Sequence, residues 1–87
     1  MTEIALSGGQ PVDPETGVPL SLNETFFRTE ALRSRLRDQY RTLVGAGYSD
    51  RAAREELAAD LALLLALDRL EGAEGDPLSD TSEADYT

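Results

Sequence analysis

From Leu22 to Val44, apolar side chains return every three or four residues. At about 100° per residue, Leu22, Phe26, Leu32, Leu36, Tyr40, Leu43 and Val44 share one face, which predicts an amphipathic helix. Phe27 lies off that stripe. Ser21, with Glu24 three positions on, matches a capping box, and Asn23 is a competing cap. The helix should stop in Val44-Gly45-Ala46-Gly47-Tyr48, with Gly45 or Gly47 at the left-handed cap position. A second helix is predicted from an N-cap at Ser49 to about Leu70, stopping at Gly72. Asp50 and Glu55 or Glu56 sit near its positive end and Arg69 near its negative end, as the macrodipole prefers. The short connection makes an antiparallel two-helix hairpin over 21–71 the natural architecture.

Residues 57–70, LAADLALLLALDRL, hold seven leucines in fourteen positions. Leu57, Leu61, Leu64 and Leu65 group on one side, and Leu63, Leu67 and Leu70 group almost opposite. Ala58, Ala62 and Ala66 form a row between them that would let another backbone approach closely. The first helix can cover one leucine face. The other is worth several kcal/mol to whatever covers it, at about 1.5–3 kcal/mol per buried leucine. A second copy of the chain, a different protein, or residues 1–20 folding back through Ile4, Leu6, Val12, Val18 and Leu20 are the three coverings considered. The candidate interface is therefore Leu63, Leu67, Leu70, Ala58, Ala62 and Ala66.

The two ends read differently. Ile4 and Leu6 alternate with polar or small residues, which suits a short edge strand, and Ser7-Gly8-Gly9-Gln10 breaks the alternation. Asp13-Pro14-Glu15-Thr16-Gly17 has type I turn chemistry with a bulge at Gly17, which would bring Val12 and Val18 face to face. Pro11 and Pro19 lack amide donors and bar the segment from the centre of a sheet. Residues 1–20 are expected to form a rigid extended arm. Residues 72–87 carry five acids, no base and few large apolar groups, so they are expected to be a disordered acidic tail.

Charge sharpens this division. Of the net −9, residues 1–22 supply three acids and no base, and residues 57–87 supply eight acids against Arg69. All eight basic residues are arginine. Arg33, Arg37 and Arg41 make an i, i+4 row that would suit phosphate. The pairs Glu24–Arg28, Glu30–Arg33 and Asp38–Arg41 stand in the favourable helical order and favour internal pairing over nucleic acid.

The chain has no His, Cys or Lys, which leaves a Ser or Thr nucleophile without its usual base and zinc without its preferred ligands. Counted from Asp76, a calcium loop fails at Leu78, Thr81 and Thr87. Glu56 and Asp60, one turn apart, read as solvated surface rather than an acid–base pair. The eleven apolar-rich residues 57–67 are too short to span a bilayer, and "MTEIALSGG" lacks the basic start of a signal peptide.

The expectation is an all-α fold: an arm over 1–20, a helical hairpin over 21–71 and a tail over 72–87, completed by oligomerisation or a partner. Its function would be non-catalytic, as an accessory subunit, adaptor or phage-type assembly factor. It would be cytoplasmic, without cofactor or metal, bound to a protein or to itself and not to nucleic acid or membrane. The competing expectation is an acidic inhibitor, antitoxin-like, that sequesters a basic or nucleic-acid-binding target with its tail.

Overall fold

A computed structural model describes residues 3–73 and 75–78. The elements are β1 (Ala5–Ser7), β2 (Gln10–Val12), α1 (Leu22–Gly45), α2 (Asp50–Glu56) and α3 (Ala58–Leu70). The class is therefore mixed α/β, three helices with a small antiparallel sheet, and not the all-α two-helix hairpin expected above.

The arm accounts for the first difference. Gly8 and Gly9 both have positive φ, 60° and 80°, which is the requirement of a two-residue type I′ hairpin turn. They close β1 onto β2 with Ala5 opposite Val12, Leu6 opposite Pro11 and Ser7 opposite Gln10. Pro11 is tolerated because this two-stranded sheet consists only of edges. The chain then turns again. Asp13 Oδ1 accepts the Glu15 and Thr16 amides at 2.8 and 3.4 Å, and Gly17 takes a positive φ of 74°. This turn brings Val12 opposite Pro19, one residue beyond the Val18 expected.

Helix α1 begins where the capping box places it, with the Ser21 hydroxyl accepting the Glu24 amide at 3.1 Å. It ends in a turn in which the Tyr48 amide reaches the Leu43 carbonyl at 3.0 Å, with Gly47 at φ 105°. Its inward face is rotated from the expected stripe. Thr25, Arg28, Thr29, Leu32 and Leu36 are buried, while Leu22, Phe26 and Val44 stand in solvent.

The expected second helix is broken at Leu57, which leaves helical geometry at φ −102° and ψ 12°. Its amide is shared between the Ala53 and Arg54 carbonyls at 3.3 and 3.2 Å, a frayed end typical of a helix terminus. Both α2 and α3 contact α1. The core unites Ile4, Leu32, Leu36, Leu64, Leu67 and Leu78, with Leu6, Leu20, Tyr40, Leu57, Leu61 and Leu63 packed around it. Ile4 from the arm and Leu78 from the C-terminal segment thus supply the cover that the leucine-rich helix needs. Residues 75–78 belong to the fold, which corrects the expected tail over this stretch. Residue 74 and residues 79–87 of that tail lie outside the described residues.

Candidate functional site: two surfaces on α1

The predicted interface is divided by the structure. Leu67 is 1 % exposed in the core, and Leu63 is half-buried against it. Leu70 is exposed, Ala58 and Ala62 are exposed, and Ala66 is half-buried. The two supposed leucine faces are one broad inward arc, because Leu64 and Leu67, three residues apart, differ by only about 60° around a helix. The alanine row is the outward face. Leu67 is enclosed by the chain itself, while Leu63 keeps part of its surface open.

Beyond Leu70, further unburied apolar surface lies elsewhere. Val18, Leu22, Phe26 and Phe27 fall within ten residues; Leu22 is 90 % exposed and the other three 58 %. Leu22 and Phe26 are one turn apart on α1. The charged side chains of this stretch and its flanks are Asp13, Glu15, Glu24, Arg28 and Glu30. The single base among them, Arg28, is spent internally. Its guanidinium donates to Glu24 at 2.7 Å, to the Glu3 carbonyl at 2.9 Å and to Asp13 at 3.1 Å. This clamps the arm, its second turn and α1 together. The Glu15 amide, followed by Arg28, holds the Asp13 carboxyl below the ordinary carboxylate range.

Several other arginines are also paired. Arg33 makes a bidentate pair with Asp68 of α3 at 3.0 and 2.6 Å. Arg35 reaches Asp60 at 3.2 Å, so half of the Glu56/Asp60 pair is committed to an arginine. Arg41 lies near Asp38 at 3.6 Å.

Toward the far end of α1 lies a second, more constructed site. Arg54 grips Asp76 with two bonds of 3.1 and 2.6 Å, and Arg37 Nε donates to the Pro77 carbonyl at 3.1 Å. Leu78 then enters the core, 5 % exposed. Arg54 is itself positioned by Asp50 at 3.0 Å and lies over the Tyr40 ring, 5.7 Å from its centroid. The Tyr40 hydroxyl donates to Asp50. That bond, with Arg54 behind it, lowers the Asp50 pKa; the same bond, with burial, raises that of Tyr40 against the opposing pull of Arg54. The Arg54 fork likewise lowers the Asp76 pKa. The site carries no signal in the sequence, because Leu78 is a lone apolar residue in an acidic run with no periodicity.

Among the described residues no group of three or more acidic side chains is placed to hold a metal ion, and no helix is long and apolar enough to cross a membrane. No family model, curated protein or solved structure matches the chain.

Proposed function

We propose that the protein is a non-catalytic interaction or assembly subunit that engages its partner through Val18, Leu22, Phe26 and Phe27. The observation that carries this reading is the 90 % exposure of Leu22 beside two half-exposed phenylalanines. Aromatic groups are enriched at protein interfaces, and grouped exposure of this kind marks contact surfaces more than scattered leucines do. The acids flanking the patch, with Arg28 already paired, favour a partner whose apolar groove is rimmed by Arg or Lys, and oppose self-association of a chain of net charge −9.

The test pairs the native chain with Phe26→Glu/Phe27→Glu, both at exposed positions, as baits crosslinked in extract. A partner whose crosslinks fall on residues 18–27, and which the variant loses while keeping its helical signal, supports the reading. Equal capture by both baits, or crosslinks confined to α3, overturns it.

A further inference from the structure

The contacts of residues 76–78 have the form of a ligand in a receptor. Asp76 meets a planar guanidinium that is already oriented by Asp50 and Tyr40, so the fork is positioned by groups outside the segment it binds. Asp76 Oδ1 also accepts the Leu78 amide at 3.0 Å. This tight turn lets the carboxylate and the leucine side chain face the body together. Pro77 has no amide to satisfy, and its carbonyl is read by Arg37. Leu78 fills a recess among Ile4, Leu32, Leu36, Leu64 and Leu67. Charge, backbone and shape are thus each recognised, over three consecutive residues.

We propose that this notch is a peptide-binding site for a partner segment carrying an aspartate two residues ahead of a leucine, with proline between them, and that Asp76-Pro77-Leu78 is its intramolecular occupant. The segment follows α3 after a tether of a few residues in which Gly72 and Gly75 have positive φ, 79° and 109°. A short tether gives an effective concentration in the millimolar range, so the chain's own segment excludes a free peptide of equal intrinsic affinity. Binding in trans therefore requires that the cis segment be weakened, or that the partner present its segment at high local concentration. Bidentate recognition also requires Arg54, because lysine offers a point charge without the fork.

The experiment uses the full chain. In Asp76→Asn/Leu78→Ala the cis ligand is weakened and the walls of the notch are untouched. A fluorescent peptide of residues 72–80 is titrated by anisotropy into the native chain and the variant, with helicity followed by circular dichroism. The variant is expected to bind at least about tenfold more tightly than the native chain. The same peptide carrying Asp76→Asn and Leu78→Ala should not bind. If the double variant unfolds, Asp76→Asn alone, which keeps Leu78, replaces it with the same expected order of affinity. Adding Arg54→Lys to the folded variant should weaken binding. Absence of saturable binding, equal binding to native and variant chains, or indifference to Arg54→Lys overturns the proposal. So does a native dimer by sedimentation that Leu78→Ala dissociates, since that outcome assigns the segment to exchange between copies.

Discussion

At the scale of single residues, arginine does what a larger core would otherwise do. Arg28, Arg33 and Arg54 each join segments distant in sequence through a carboxylate, and two of these pairs are bidentate. Thr29 is the exception to this satisfied polar interior. It is 1 % exposed, and its hydroxyl finds no partner among the described residues. An unsatisfied buried hydroxyl costs about 1–3 kcal/mol. Thr29→Val keeps the shape and removes that penalty, so it is expected to stabilise the fold by about 1 kcal/mol. A urea titration should show a raised midpoint with unchanged slope; a lowered midpoint would mean that the hydroxyl has a partner in solution.

At the scale of elements, the arm depends on its glycine pair. Gly8 needs a positive φ of 60°, a conformation asparagine tolerates better than other side chains, and Asn-Gly is the preferred type I′ sequence. A Cβ at Gly8 meets nothing within 4 Å. Gly8→Asn should therefore stabilise the protein by about 0.5 kcal/mol by restricting the unfolded chain, read as a small rise in thermal midpoint, whereas Gly8→Val should lower it. Gly8-Gly9 read in the sequence only as a break in the alternation, and the hairpin that the pair closes was not expected. The cap at Ser21 and the stop near Gly47 were legible because capping is local chemistry. The rotated face of α1 was not: the buried Arg28 bonds to Asp13 and Glu3, which no helical wheel contains. The break at Leu57 carries no Gly or Pro to announce it. The same limit hid the candidate surfaces, since Leu67 is buried in a cluster that draws Ile4 and Leu78 from segments far apart in the sequence.

At the scale of the molecule, acid should act through two opposed effects. Asp13, Asp50 and Asp76 all have folded pKa values below the ordinary carboxylate range, through the Glu15 amide, the Tyr40 hydroxyl and the Arg54 guanidinium respectively. Their stabilisation is fully present above the unfolded value of about 3.9 and is lost as pH falls through the lower folded values. Meanwhile the net charge of −9 repels itself at neutrality, and mild acidification relieves that. Stability should therefore peak on the acid side of neutral and fall steeply below about pH 4. Urea midpoints measured from pH 7 to pH 2.5 test this, and Asp76→Asn should flatten the acid limb. A midpoint that only rises on acidification would show that the three carboxylates contribute little.

Ile4 and Leu78 share one apolar cluster, although almost the whole described chain separates them. This has a consequence for synthesis. Until residue 78 is made and released, Ile4 and the leucines of α1 lack the side chain that seals them. Domains commonly fold as they emerge, but contacts of such sequence separation wait for the later partner. The nascent protein therefore carries an open apolar seam until residue 78 is free, and a stall anywhere in the acidic stretch before it would leave that seam exposed to chaperones and proteases.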